Sequence, residues 1–142
     1  KLDKTNQNLN RVNDIINDLM LKKRMNRLLQ GDVGSGKTIV AFISMYANYL
    51  SGYQSALMAP TEILATQHYE EAKRLFSDYD INVALLTSST SSKDKKAIYK
   101  GLEDGSISIV IGTQSLIQEN VKYKSLGLVI INRSPSVENL NE

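Results

Sequence analysis

The sequence predicts an α/β fold in which a mainly parallel β-sheet is covered by helices on both faces. Three observations carry that expectation. Short apolar runs of strand length alternate along the chain with amphipathic stretches of helix length, the order that builds βαβ units. Runs such as Ser55–Ala59 and Leu126–Ile131 are almost continuously apolar, as strands buried on both sides are. At 142 residues, 42% hydrophobic and 23% charged, the chain suits one globular domain with a substantial core.

The elements follow in order. Val12, Ile15, Ile16, Leu19 and Met20 recur at helical spacing and predict an amphipathic helix. The basic cluster Lys22, Lys23, Arg24 and Arg27 comes next; with a net charge of only +2 it reads as a solvated loop before a nucleic-acid patch. Leu28–Leu29 is a short apolar run entering a glycine-rich loop. Thr38–Leu50 is helical, and Gly52 is a stop. Ser55–Ala59 reads as a strand, and Pro60-Thr61-Glu62 opens a helix to about Phe76, with the proline where its missing N–H costs little. Ile81–Thr87 is the next strand, Ser92 the expected cap of a helix over Lys93–Leu102, and Gly105 its stop. Ser106–Ile111 is strand-like, Gln114–Gln118 one helical turn, and Leu126–Ile131 a fifth strand. "NRSPSVENLNE" is polar, contains proline and lacks periodicity, so it reads as a loop or frayed tail. The expected layout is a domain over residues 1–131, incomplete at its C-terminal end, and a polar tail over 132–142.

Composition narrows the chemistry. The chain has no cysteine and one histidine, His68, which leaves no thiolate metal site, no disulfide and no multi-histidine centre. A cytoplasmic setting agrees with this. No run approaches the roughly 18 apolar residues of a membrane span, and "KLDKTNQNLN" lacks the apolar core of a signal peptide.

Gly31-Asp32-Val33-Gly34-Ser35-Gly36-Lys37-Thr38 matches G-x-x-x-x-G-K-[ST], the Walker A pattern. Its glycines let the backbone curl and aim successive N–H groups at phosphate oxygens. A helix starting near Lys37 adds unpaired N–H groups and the positive end of its dipole. Lys37 is the candidate catalytic residue, reaching the outer phosphates as a point charge, and the Thr38 hydroxyl is the candidate Mg²⁺ ligand. A chance match arises in roughly one chain in 200 of this length. The apolar run before the loop and the helix after it lower that further, so the loop reads as a cradle for ATP.

"MNRLLQGDVGSGKTIVA", "ALMAPTEILATQHYEE", "VALLTSST", "IVIGTQSLIQE" and "VKYKSLGLVII" resemble, in the same order, the first RecA-like motor domain of the RecG family of bacterial DNA helicases, in helicase superfamily 2. A related translocase family, the transcription-repair coupling factors, has a similar phosphate loop. The resemblance implies that Gly34–Thr38 form motif I, binding ATP and Mg²⁺. It implies that Pro60 and Thr61 form motif Ia, and Gly112 and Thr113 motif Ib, both meeting the DNA backbone without reading sequence. Thr87–Ser89 would line the same face, with Ser88 where the family pattern has glycine. On the residues alone, Pro60-Thr61 is an ordinary helix start and Thr113 a strand-end cap; only their company with the phosphate loop favours contact with DNA. His68 either faces DNA or packs on its helix, and packing is the favoured reading. Gln7 could be the adenine-reading glutamine of these motors, but its spacing and neighbours fit poorly, and it reads as solvated.

In the resembled family, "GLVII" leads into Asp-Glu-x-His, which holds Mg²⁺ and positions the attacking water. Here Asn132, Arg133 and Ser134 follow. An amide is a weaker Mg²⁺ ligand and no base, and phosphoryl transfer depends on such positioning. The second RecA-like domain, with its arginine finger, and the forked-DNA-binding domain are not among these residues. The expectation is therefore part of a RecG-like helicase that binds nucleotide with little hydrolysis and DNA weakly, with salt sensitivity. The alternative from another class is a phosphate-loop nucleotide-binding module with no DNA role.

Overall fold

The computed structural model describes the backbone of residues 27–31, 37–118 and 120–132, with side chains from Ile39 onward in those spans. The expected helix over Val12–Met20, Gln7, the cluster Lys22–Arg24 and the tail from Arg133 lie outside them.

Strand β1 covers Arg27–Gly31, helix α1 Lys37–Leu50, strand β2 Gln54–Met58, helix α2 Glu62–Leu75 and strand β3 Val83–Leu86. Helix α3 follows at Ser92–Asp104, then strand β4 at Ile109–Gly112, a 3₁₀ turn at Gln114–Ile117, and strand β5 at Leu126–Asn132. The five strands form one sheet in the order β1-β5-β2-β4-β3, and every pairing is parallel.

This order decides which face each helix covers. Crossovers between parallel strands are right-handed. The β1-to-β2 and β2-to-β3 connections travel one way across the sheet, and β3-to-β4 and β4-to-β5 travel back. The first pair therefore puts α1 and α2 on one face, and the return puts α3 and the 3₁₀ turn on the other. The two core clusters separate in this way. Ala41, Phe42 and Met45 of α1 and Ala65 and Ala72 of α2 pack with Leu57, Ile109, Ile111, Leu128 and Ile130. Leu102 of α3 and Leu116 pack with Ala56, Met58, Val110, Val129 and Ile131. Successive strand residues thus point to opposite faces with period two, and both faces are covered, which is why the strands read as unbroken apolar runs. Phe42, Met45, Leu57 and Leu128 are at most 2% exposed, each contributing about 1.5–3 kcal/mol of burial. An aromatic set joins α1 to the end of α2: Phe42 meets Phe76 edge-on at 6.2 Å, and Tyr46 stacks on Phe76 at 6.3 Å.

Expected boundaries move for physical reasons. The apolar runs beginning at Ile81 and Ser106 start before the paired strands. Ile81 is buried, but Ser108 and Ile109 both donate to the Asn82 carbonyl there in place of a regular ladder. Helix α3 begins one residue earlier than expected, so the cap is Ser91 instead of Ser92; its side chain accepts from the Asp94 N–H at 3.1 Å. Strand β5 runs one residue past the apolar stretch, because Asn132 is in register with Gly31. Gly52 and Gly105 take φ of 92° and 87°, the left-handed region, where the sequence places them as helix stops.

One buried polar group knits the opposite end of the sheet. Gln54 donates to the Leu102 and Ile107 carbonyls at 3.0 and 2.8 Å, and accepts from the Ser125 N–H at 2.8 Å. Its amide is thereby satisfied although 4% exposed, as a buried amide must be.

Candidate functional site

In parallel α/β sheets ligands gather outside the carboxyl ends of the strands, and the strand register shows what lies there. Gly31 pairs with Asn132, Met58 with both Ile131 and Gly112, and Gly112 with Leu86. All five strands end on one line. From that line leave the phosphate loop after β1, Ala59–Thr61 after β2, Thr87–Thr90 after β3 and Thr113 after β4. The candidate residues Gly31, Pro60, Thr61, Gly112 and Thr113, scattered over eighty positions of sequence, therefore share an edge.

The loop of the Walker A pattern follows the last residue of β1, and α1, 14 residues long, begins at Lys37. A helix N-terminus directly after such a loop is an arrangement that suits a phosphate group. Asp32, Val33, Gly34, Ser35 and Gly36 lie outside the described residues, as do the side chains of Gly31, Lys37 and Thr38.

The other three loops are laced together. The Ala59 N–H donates to the Gly112 carbonyl at 2.8 Å, tying the β2 end to the β4 end. A Cβ built on Gly112 would overlap the Leu86 carbonyl oxygen and come within 3.0 Å of Leu116 Cδ2. Glycine therefore lets β3 and β4 approach at their tips. Thr61 caps α2, its oxygen accepting from the Leu64 N–H at 3.2 Å. That cap leaves the Thr61 hydroxyl proton available for a second partner. Pro60 and Thr61 are exposed, and Thr113 is half-buried with its hydroxyl 3.5 Å from that of Ser115. Thr61 thus serves as helix cap and stands on the edge, so the two readings of it are compatible.

Sequence reasoning missed Glu62. Its Oε2 accepts from the Thr87 hydroxyl at 2.6 Å and from the Ser89 N–H at 3.2 Å. The Ser89 side chain first, then the Thr87 hydroxyl and the Ser89 N–H, hold its carboxyl below the usual range, against an opposing effect of burial. The only signal in sequence is its place directly after the capping threonine.

His68 packs, as its helix position implies, and its site is at β5. It is 7% exposed, and the Asn132 amide N–H donates to its Nε2 at 3.1 Å. Burial lowers the His68 pKa from its ordinary value of 6.5, against a smaller opposing effect of Glu71. Protonation would also turn the accepting Nε2 into a donor facing an amide N–H. Folded His68 thus resists a proton that the unfolded chain accepts near pH 6.5. Stability contributed by neutral His68 is complete above that value and is lost as pH falls through the depressed folded pKa. The melting temperature is expected to fall on going from about pH 8 to about pH 5, and the slope to shrink in His68→Gln. An unchanged slope in that variant would assign the effect elsewhere.

The model of the DEAD/DEAH box helicase family matches residues 12–132, most of the chain. The chain belongs to that family. Within the DEAD/DEAH box helicases it is similar to the ATP-dependent DNA helicase RecG of Aquifex aeolicus, 52% identical over 120 residues, which are 84% of this chain and 15% of that protein. To RecG of Bacillus subtilis it is 53% identical over 126 residues, 89% of this chain and 18% of that one. To RecG of Staphylococcus aureus NCTC 8325 it is 57% identical over 119 residues, 84% and 17%. A solved structure of RecG bound to a three-way DNA junction superposes with a TM-score of 0.64 at 40% identity, over 82% of this chain and 19% of that one. The fold is therefore the RecA-like fold of these helicases, and the resemblance read from the motifs holds. The chain spans less than a fifth of the length of these relatives. The family match ends at Asn132, where β5 ends.

Proposed function

We propose that this chain is the ATP-binding portion of a RecG-like superfamily 2 DNA helicase, a motor that remodels branched DNA in repair and recombination in the cytoplasm. One observation carries the reading: the register that puts the phosphate loop and three polar loops on a single edge of the sheet. The backbone N–H groups of Gly31–Gly36 and the start of α1 would hold ATP phosphates, Lys37 their charge, and Thr38 the Mg²⁺. Pro60, Thr61, Gly112 and Thr113, with Thr87–Ser89 beside them, would meet DNA phosphates through N–H and hydroxyl groups, without sequence preference. The relatives' names support ATP and DNA as ligands, and nothing favours a phosphate-loop module without a DNA role.

Turnover is a separate matter. Asn132 ends β5 beside Gly31, where the resembled family places a Mg²⁺-binding aspartate, and Arg133 follows where a glutamate activates water. A neutral amide holds Mg²⁺ weakly and abstracts no proton, so hydrolysis by this chain is expected to be small, and a second RecA-like domain would be needed for motor action. The test is a titration of the 142-residue chain with a fluorescent ATP analogue, paired with a phosphate-release assay. Binding with release at background is the expected pair. Steady multiple turnover abolished by Lys37→Ala would overturn the silent-site reading, and absence of nucleotide binding would overturn the cradle.

A further inference from the structure

We infer that Glu62 is a positioning residue: it latches the Thr87–Thr90 turn to the first turn of α2, so that Ser88 and Ser89 stand beside Thr61 as one phosphate-facing strip. The inference rests on the DNA reading of this edge. Strands β2 and β3 are not neighbours, since β4 lies between them, so no ladder bond joins the loops that follow them. The Glu62 carboxylate spans that gap. One oxygen, Oε2, takes both the Thr87 hydroxyl and the Ser89 N–H. The turn is closed from inside as well: the Ser89 N–H also reaches Thr87 Oγ1 at 3.2 Å, the Thr87 N–H donates to Thr90 Oγ1 at 2.9 Å, and the Thr90 N–H to the Thr87 carbonyl at 3.2 Å. Thr87 is buried, while Ser88 and Ser89 are exposed, so the latch fixes the base of the turn and leaves its tip outward.

The charge of Glu62 argues the same way. A carboxylate on an edge that meets phosphates repels them. Stabilising the α2 dipole would justify an acid there but does not explain two bonds to a segment 25 residues away. A latch does, and both bonds end on one oxygen, so a glutamine carbonyl can replace it.

The two ideas predict opposite signs. Binding of a fluorescein-labelled single-stranded oligonucleotide to the 142-residue chain is followed by anisotropy at low salt, with Thr61→Ala as the reference. If Glu62 is a latch, Glu62→Ala weakens binding about three- to tenfold despite removing a negative charge, Thr87→Val does the same, and Glu62→Gln stays within about twofold. Hydrogen exchange at the Ser89 amide then quickens in Glu62→Ala and not in Glu62→Gln. If Glu62→Ala binds DNA as tightly as the unaltered chain or more tightly, the role is overturned. DNA binding with Thr61→Ala weakened and Glu62→Ala unchanged overturns the latch alone. No binding by the unaltered chain overturns the DNA reading and this role with it, whatever the Ser89 exchange shows.

Discussion

Gly112→Ala is expected to lower the stability of the chain by about 3 kcal/mol, the upper range for overpacking, and its melting temperature by roughly 10 °C. The added methyl would meet the Leu86 carbonyl oxygen on one side and Leu116 Cδ2 at 3.0 Å on the other. Neither is the loose end of a flexible side chain: one is backbone in the neighbouring strand, and the other is fully buried. The tips of β3 and β4 must then separate, which strains the Leu86–Gly112 pairing and moves the Thr87 turn and Thr113 together. Gly52→Ala is the control. Gly52 has nothing within 4 Å of its would-be Cβ and only a φ of 92° to oppose substitution, a cost of about 1 kcal/mol. Urea denaturation of the two variants measures the difference. A Gly112→Ala protein as stable as Gly52→Ala would mean that the tips of β3 and β4 part freely.

Lys37→Ala is expected to weaken binding of ATP about 10- to 100-fold, the loss of a charged contact worth about 1.5–3 kcal/mol. Lys37 is the first residue of α1, and alanine is a good helix former, so folding should be unaffected. A fluorescent ATP analogue reports the affinity, while unphosphorylated adenosine should bind the variant and the unaltered chain alike. Equal loss for adenosine would point to a collapsed loop in place of a missing charge.

The alternation of apolar runs and amphipathic stretches revealed all five strands, because helices cover both faces of the sheet and every residue of β2, β4 and β5 is buried. The same signal misplaced strand starts at Ile81 and Ser106, since hydrophobicity reports burial and cannot report whether a backbone group finds a ladder partner. It also ended β5 at Ile131: Asn132 is polar, yet it is 4% exposed and paired with Gly31. The site divides along similar lines. The places of Thr61 and Gly112 in the fold were legible because one opens α2 and the other closes β4 at short motifs. The Glu62–Thr87 and His68–Asn132 pairs were not, because their partners lie 25 and 64 residues apart and only the sheet order brings them together.

That order also bears on how the chain is made. Strand β5, the latest of the described strands in sequence, enters between β1 and β2, so until it arrives β1 and β2 lack their shared neighbour. Between the end of β1 at Gly31 and the start of β5 at Leu126 the β1 edge stays open, and the β2 edge stays open from Met58 onward. Non-local pairing of this kind folds slowly, and open edges invite pairing with other chains. Among the described strands, β1 is made first and waits longest for the neighbour that covers its edge.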